Sequence, residues 1–201
     1  NREDGTPVNA AYGFFTMLLR ILEERTPDYL GVAFDVAQPT FRKKLYPDYK
    51  GTRAKTPEEL LLQIPLIQQA LSKLGVRVLT LPGYEADDIL GTLSARAEAE
   101  GVFSYLYTGD RDALQLISPA TQVMLTRKGV SEVEVYDAAH LQEVLGLEPW
   151  QIIDMKGLQG DASDNIPGIA GVGEKTALKL LHQFGSVENL YAHIDELPKN
   201  K

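Results

Sequence analysis

The 201-residue chain is 44% hydrophobic and 24% charged, which is ordinary for one sizeable globular domain with a small appendage. No apolar run approaches the roughly 18 residues of a membrane span, and the opening residues do not form a signal peptide. The lack of cysteine excludes disulfides and thiolate metal sites and favours a reducing compartment. We expect the chain to be part of a longer polypeptide, because it opens without methionine in a loop-like stretch and ends in a polar one.

Hydrophobic spacing predicts alternating helices and strands, followed by helices alone. The expected helices are 8–25, 56–74, 85–100 and 112–117, and the expected strands are 29–34, 76–81, 102–107, 122–125 and 132–135. Thr56 and Glu59 form a predicted capping box, and Pro65 is expected to bend or break that helix. Gly75 is the predicted stop signal of the same helix. A turn is expected at Lys128 and Gly129. Further helices are expected at 137–145, 149–158 and 174–184, with Ser186 capping a last one.

This order of elements indicates the α/β class. Strands that alternate with helices predict a mostly parallel central sheet flanked by helices. The apolar runs at 29–34, 76–81 and 102–107 are expected to be buried parallel strands. The helices that follow predict a small second module. The expected domains are therefore 1–136 and 137–201.

Acidic residues follow the apolar runs in four short groups. The net charge is −8, from 28 acidic and 20 basic residues, and the eight grouped carboxylates account for the whole excess. Ligands of open α/β sheets bind at the carboxyl ends of the strands, where grouped carboxylates would repel each other unless cations lay between them. Oxygen ligands without Cys or His favour Mg²⁺ or Mn²⁺, and such sites most often serve phosphoryl chemistry. The candidate ligands are Asp35; Glu85, Asp87 and Asp88; Asp110 and Asp112; and Asp161 and Asp164.

Each acidic group also has a purely structural interpretation. Acids at a helix start complement the helix dipole, and Asp112 could be an N-cap. Asp35 could be a common turn residue after a strand, and Asp161 and Asp164 could form Asx-turns. Three acids in four positions at 85–88 are poorly explained in this way, because like charges repel. The metal interpretation rests on the four groups taken together.

A glycine-rich stretch at 165–177 precedes the expected helix 174–184. The backbone N–H groups of Gly168, Gly171 and Gly173, together with the helix N-terminus, can hold a phosphate, and Lys175 lies beside them. The alternative is an αα-hairpin whose glycines only supply positive φ. No strand precedes the turn, so a dinucleotide-binding fold is excluded.

Residues 36–56 are basic and aromatic and have no regular period. Arg42, Lys50 and Arg53 alternate with Phe41 and Tyr49. A solvated, mobile loop is the simple interpretation. The aromatic residues instead favour nucleic acid, because bases stack on aromatic faces, and a cationic side chain here could reach a scissile phosphate.

The motifs together resemble the flap endonuclease and 5′-3′ exonuclease family, in particular the 5′ nuclease domains of bacterial DNA polymerase I. The resemblance spans essentially the whole chain. Its pieces are Phe34-Asp35, Phe41-Arg42, Tyr49-Lys50-Gly51-Thr52-Arg53, Gly83-Tyr-Glu-Ala-Asp-Asp88, Thr108-Gly-Asp-Arg-Asp112 and Gly160-Asp-Ala-Ser-Asp-Asn-Ile-Pro-Gly168 running into Gly171-Val-Gly-Glu-Lys-Thr-Ala177.

This resemblance implies a PIN-like nuclease core with an arch segment at about 37–74 and a helix–three-turn–helix module. It implies two or more Mg²⁺ or Mn²⁺ ions at the acidic residues, a K⁺ ion at the glycine hairpin, and catalytic roles for Lys50 and Arg53. The implied partner is DNA with a 5′ flap, a nick, a gap or an RNA primer end, bound by a monomer in the bacterial cytoplasm, with a polymerase domain following. The implied DNA-binding residues are Arg42, Tyr49, Lys50, Arg53, Gly168, Gly171, Gly173, Lys175 and Thr176.

One departure from the family pattern concerns its first strand. That strand ends in Asp-Gly and supplies a further ligand, and it does not occur in this sequence. A protein of these residues alone is therefore expected to be unstable and very weakly active. Two rival functions remain open at this point, a PIN-like ribonuclease of the toxin type and a non-catalytic DNA-binding module whose acids merely cap helices.

Overall fold

A computed structural model describes residues 7–126 and 132–197. The predicted turn at Lys128 and Gly129 lies outside this part of the chain. The helices are α1 (Asn9–Arg25), α2 (Phe41–Leu45), α3 (Glu58–Lys73), α4 (Ala86–Ala99), α5 (Ala138–Leu145), α6 (Gln151–Gln159), α7 (Glu174–Phe184) and α8 (Val187–Ala192), with 3₁₀ turns at Arg111–Leu116 and Ile194–Glu196. The strands are β1 (Gly31–Ala33), β2 (Arg77–Leu79), β3 (Ser104–Thr108), β4 (Thr121–Thr126), β5 (Val133–Tyr136), β6 (Gly160–Asp161) and β7 (Ile166–Pro167).

The α/β class and the parallel pairing of the early strands are confirmed. β1 pairs with β2 in parallel, with Val32 opposite Val78. β3 pairs in parallel with β4, and β5 adds an antiparallel edge. The expected single sheet is divided, since the β1–β2 pair and the β3–β4–β5 group share no hydrogen bonds among the described residues. The residues of β1 and β2 are accordingly half-buried or exposed rather than buried as predicted.

α1 and α3 pack together over the β1–β2 pair. Leu18, Ile67 and Leu71 form the buried centre of this contact. The buried side chain of Gln63 accepts hydrogen bonds from the backbone of Ala10 and Ala11, which satisfies donors at the start of α1.

The start of α3 corrects a prediction. Its N-cap is Pro57, whose extended backbone puts Thr56 one residue too early to cap the helix, so the predicted capping box does not form. The helix also continues as one element through Pro65. It ends before Gly75, which has a φ of 78° and is the predicted stop signal.

The larger core crosses the predicted domain boundary at residue 137. Leu106 and Val123 from the sheet share one buried cluster with Leu141, Ile152 and Leu181 from the later helices. Asp137 and Ser186 cap α5 and α8 as predicted. No helix in the described ranges combines the length and the apolarity needed to cross a membrane.

Candidate functional site

Three of the four acidic groups line one pocket of about 610 Å³, and the fourth, Asp35, is hydrogen-bonded to the helix start beside it. Asp110 follows the end of β3, and Asp35 follows β1 and accepts a 2.7 Å hydrogen bond from the backbone N–H of Ala86, at the start of α4. Seven of the eight predicted ligands line the pocket itself: Glu85, Asp87, Asp88, Asp110, Asp112, Asp161 and Asp164. The central expectation of the sequence, that acids distant along the chain converge, is met by the geometry.

The carboxyl group of Asp87 is strongly affected by the neighbouring negative charges. Burial, followed by the neighbouring charges of Asp110, Asp35 and Glu85, raises the pKa of its carboxyl from 3.8 to about 6 against the opposing effect of Lys50. Within the described residues its carboxylate has no hydrogen bond or ion pair. A cation bound beside Asp87 would therefore offset the repulsion from the neighbouring carboxylates.

Several acids accept hydrogen bonds from the backbone as well, although the cap of the 3₁₀ turn is Asp110 and not Asp112, the residue that the structural interpretation proposed. Asp110 accepts a 2.9 Å hydrogen bond from the N–H of Asp112 and caps the 3₁₀ turn. Asp161 accepts hydrogen bonds from the N–H and hydroxyl of Ser163 in a tight Asx-turn. Each uses one carboxylate oxygen, Oδ1, for this purpose, so capping and metal binding are compatible.

The carboxylate of Asp88 is bound by the side chain of Arg42. Arg42 donates to its two oxygens at 2.7 and 2.8 Å, and the N–H of Glu85 donates to Oδ2 at 2.9 Å. The hydrogen bonds from Arg42 hold the pKa of Asp88 below its usual value. This geometry favours a supporting role for Asp88, and it places the guanidinium of Arg42, a predicted DNA contact, against the protein itself.

Two basic side chains form ion pairs with two further carboxylates of the pocket. Lys50 Nζ lies 2.8 Å from Glu85 Oε1, and Arg53 Nη2 lies 2.6 Å from Asp164 Oδ1. The two predicted catalytic cations are thus held by predicted metal ligands.

Lys156 is a site residue that the sequence analysis missed. Its ammonium group lies 2.7 Å from Asp112 Oδ1 and 2.9 Å from Asp161 Oδ2. Burial raises the pKa of Asp112 although Lys156 opposes the rise. At Asp161 the hydrogen bonds from Ser163 and Lys156 outweigh burial and lower the pKa. No local pattern marks Lys156, because Asp112 is distant in the sequence.

Tyr49 bridges two acidic groups. Its buried hydroxyl lies 3.0 Å from Glu85 Oε2 and 2.8 Å from Asp164 Oδ2. Burial and these two carboxylates raise the pKa of the phenol well above its usual value. Tyr49 is a predicted DNA contact, and in the structure its hydroxyl links Glu85 to Asp164 by hydrogen bonds.

The basic segment also interlocks with the loop before the glycine hairpin. The N–H of Lys50 donates to the carbonyl of Asp164 at 2.8 Å, and Arg53 Nε donates to the carbonyl of Ser163 at 3.0 Å. The side-chain amide of Asn165 donates to the carbonyl of Asp48 at 2.8 Å. Two motifs that were predicted separately are one hydrogen-bonded unit.

The three predicted glycines of the hairpin have different roles. Gly171 has a φ of 80°, so it supplies the positive φ of the structural interpretation. Gly168 lies against the backbone of Gln159 and Gly160, leaving no room for a side chain. Gly173 is the N-cap of α7 and has open space around it. Lys175 and Thr176 are exposed on the first turn of α7, where their predicted DNA contact stays a prediction.

The carboxylate oxygens of the pocket are ligands that suit a hard divalent cation, although in this structure they are not arranged around a single point. Among the described residues no group of three carboxylates or other ligands is arranged to hold an ion as it stands. Lys50, Arg53 and Lys156 take oxygens that an ion would use. Carboxylate oxygens without Cys or His suit Mg²⁺ or Mn²⁺, and the unpartnered carboxylate of Asp87 is the group with most to gain.

Two family models together match the chain from end to end. The model of the 5′-3′ exonuclease N-terminal resolvase-like domain matches residues 1–146, and that of the 5′-3′ exonuclease C-terminal SAM fold matches residues 147–201. DNA polymerase I of Bacillus caldotenax and that of Bacillus subtilis (strain 168) are each 49% identical over 201 residues. These alignments cover 100% of this chain and 23% of each relative, so the chain spans about a quarter of the length of the curated relatives it matches.

Solved structures show the same fold. A T5 5′-exonuclease with bound divalent zinc ions has a TM-score of 0.77 at 23% identity, covering 99% of this chain and 75% of that chain. The catalytic core of Rad2 in complex with DNA substrate has a TM-score of 0.60 at 20% identity, covering 95% and 60% respectively. These neighbours support the α/β architecture with a helical, SAM-like C-terminal part.

Proposed function

Because the chain belongs to the 5′-3′ exonuclease family, we propose that it is a structure-specific nuclease that hydrolyses phosphodiesters at 5′ flaps and 5′ ends of duplex DNA. Such an activity would serve DNA replication and repair in the bacterial cytoplasm. The observation that carries the proposal is the convergence of eight carboxylates from four separate segments, with Lys50 and Arg53 beside them. The relatives that are DNA polymerase I support a polymerase domain in the same polypeptide.

The carboxylates would hold two or more Mg²⁺ or Mn²⁺ ions. Such ions lower the pKa of a bound water and stabilise the attacking and leaving oxygens of a phosphodiester. Asp35, Glu85, Asp87 and Asp110 are the main candidate ligands, and Asp112, Asp161 and Asp164 would hold a second ion or orient bound water. The zinc ions named for the T5 5′-exonuclease support divalent-metal dependence.

Lys50 and Arg53 would act on the substrate phosphate once they leave their carboxylate partners. A phosphate is an anion that competes with Glu85 and Asp164 for the same cations. On transfer, the two side chains would stabilise the charge that develops on the phosphate oxygens. Their partners would then be free to bind metal.

DNA is the proposed partner of a monomer. The Rad2 core was solved with DNA substrate, which supports this partner class. The exposed Lys175 and Thr176, at the start of α7, would contact backbone phosphate without reading sequence. A K⁺ ion bound by carbonyl groups of the glycine hairpin would strengthen that contact.

The test compares three properties of one preparation. Because these residues alone are expected to be very weakly active, the cleavage measurements use a polypeptide with the family's first strand restored. Cleavage of a flap DNA in Mg²⁺ is expected to exceed cleavage of single-stranded RNA, whereas a PIN-like ribonuclease would show the reverse. Titration with Mn²⁺ is expected to reveal tight sites, whereas a non-catalytic module whose acids only cap helices would have none. Preference for RNA, or the lack of tight Mn²⁺ sites, would refute the proposal.

A further inference from the structure

Two exposed isoleucines border the acidic pocket. The side chains of Ile153 and Ile166 are 58% and 42% exposed, and both line the pocket alongside the carboxylates. Neither belongs to the buried cluster nor to the partly buried side chains that pack on it. The core of the described chain therefore does not account for these two apolar surfaces, which gain free energy if something covers them.

Ile153 belongs to the face of α6 that forms one wall of the pocket. Ile153, Lys156 and Gly157 stand at positions i, i+3 and i+4, share that face and all line the pocket. A Cβ atom built on Gly157 would meet nothing within 4 Å, so the space beside Ile153 is open. Lys156 of the same face reaches Asp161 at 2.9 Å.

Ile166 is the strand partner of Asp161. β6 and β7 are antiparallel with Asp161 directly opposite Ile166. Side chains directly opposite each other in an antiparallel pair lie on the same face. Ile153 and Ile166, which we call the isoleucine shelf, thus both line the pocket together with Asp161.

We propose that the isoleucine shelf holds the apolar face of a nucleobase whose own phosphate lies at the carboxylates. This inference rests on the proposed function. A nucleotide carries an anionic phosphate and a flat, apolar base a few bonds apart, which matches a pocket with a cation-binding wall beside an apolar one. Contact with a base face is independent of sequence, because every base has such a face.

The first experiment measures equilibrium binding of flap DNA in Ca²⁺ and steady-state cleavage in Mg²⁺. Ile153→Ser and Ile166→Ser are expected to weaken binding and to raise KM by about fivefold, with kcat little changed. The slope of affinity against salt should stay that of the wild type, because no phosphate contact is lost. Ile194→Ser is the matched control, since Ile194 is 52% exposed and does not line the pocket.

The second experiment identifies the contact as one with a base. Flap DNAs with a single abasic site at successive positions near the cleaved bond are bound to the wild type and to Ile153→Ser. At one position the wild type is expected to lose about fivefold in affinity, and the variant to lose nothing further there. Because Ile153 is exposed, unfolding temperatures of the variant and the Ile194→Ser control should match that of the wild type.

Wild-type affinity in both shelf variants, or losses that multiply at every abasic position, would overturn the shelf and leave the nuclease proposal standing. Failure of the wild type both to bind and to cleave flap DNA would overturn both proposals together. The two failures are therefore distinguishable in the same series of measurements.

Discussion

Lys156 Nζ lies 2.7 Å from Asp112 Oδ1, an oxygen for which a bound metal ion would compete. The same ammonium group contacts Asp161, and these two ion pairs raise the pKa of Lys156 against the effect of burial. Lys156→Met should destabilise the metal-free protein by about 1–2 kcal/mol, because two carboxylates lose their shared cation and the site is only partly exposed. Urea unfolding in EDTA measures this loss.

Mn²⁺ should reverse the defect of Lys156→Met. A ligand that binds only the folded state stabilises it according to its affinity, and in the variant no ammonium group competes for the oxygens. The stabilisation by Mn²⁺ should therefore be larger in Lys156→Met than in the wild type. Lys179→Met, at an exposed position on α7, is the control. Equal stabilisation of the wild type and Lys156→Met by Mn²⁺ would contradict this account.

Asp87 should make the stability of the metal-free protein depend on pH. Its pKa rises from an ordinary 3.8 to about 6 in the folded protein, by burial and by the charges of Asp110, Asp35 and Glu85. The folded state then binds the Asp87 proton more tightly than the unfolded state does. The contribution of this proton to stability is therefore fully present below about pH 4 and is lost as the pH rises through about 6. The loss should be about 1–2 kcal/mol, since solvent reaches part of the group.

The variant Asp87→Asn should lose this dependence and be more stable than the wild type above pH 6 without metal. Unfolding by urea at intervals from pH 4 to pH 8 in EDTA measures both curves. Asp195→Asn, at an exposed position, should retain the wild-type profile. An unchanged profile in Asp87→Asn would show that Asp87 does not carry the repulsion.

The positions of the acids were predictable from the sequence, and their partners were not. Each acidic group follows an apolar run, and Asp35 and Asp110 both come after the carboxyl end of a parallel strand, where ligands of α/β sheets bind. The contacts of Lys156 with Asp112, and of Tyr49 with Glu85, join residues that are far apart in the sequence. No periodicity encodes such pairs, because they depend on how whole elements pack.

The local predictions succeeded where one residue type determines the backbone. Asp137, Ser186 and Gly75 begin or end helices as predicted. The prediction at Thr56 was wrong because Pro57 takes the cap position itself. Burial of β1 and β2 was overestimated, since an apolar run shows what a strand could bury and not which neighbours it has.

Asp110 should be essential for cleavage through its charge. Asp110→Asn keeps an oxygen that can accept the hydrogen bond from the N–H of Asp112, so the 3₁₀ turn stays capped. Turnover of flap DNA should fall by roughly a thousandfold, because several kcal/mol of metal-supplied stabilisation is lost. Binding of the same DNA in Ca²⁺ should change little, and Asp137→Asn, at the cap of α5, is the matched control. Retained turnover in Asp110→Asn would remove Asp110 from the metal site.

Tyr49→Phe should separate the bridging hydroxyl from the packing of the ring. The variant keeps a buried ring but leaves Glu85 and Asp164 without their shared donor. A loss of about 1–2 kcal/mol is expected in unfolding measurements without metal, because Glu85 Oε2 and Asp164 Oδ2 each lose the hydrogen bond from the phenol. Tyr46→Phe removes a hydroxyl without a described hydrogen bond and should change stability little. Equal losses in the two variants would show that the bridge contributes nothing.

The glycine hairpin should tolerate a methyl group at one glycine and not at another. A Cβ atom at Gly168 would overlap the backbone of Gln159 and Gly160, whereas one at Gly173 would meet nothing within 4 Å. Gly168→Ala should therefore destabilise the protein by about 1–3 kcal/mol and weaken DNA binding, because the hairpin must move away from α6. Gly173→Ala should cost less than about 1 kcal/mol, as an alanine at an N-cap. Urea unfolding and flap DNA binding in Ca²⁺ compare the two, and equal effects would mean that the close approach at Gly168 does not shape the hairpin.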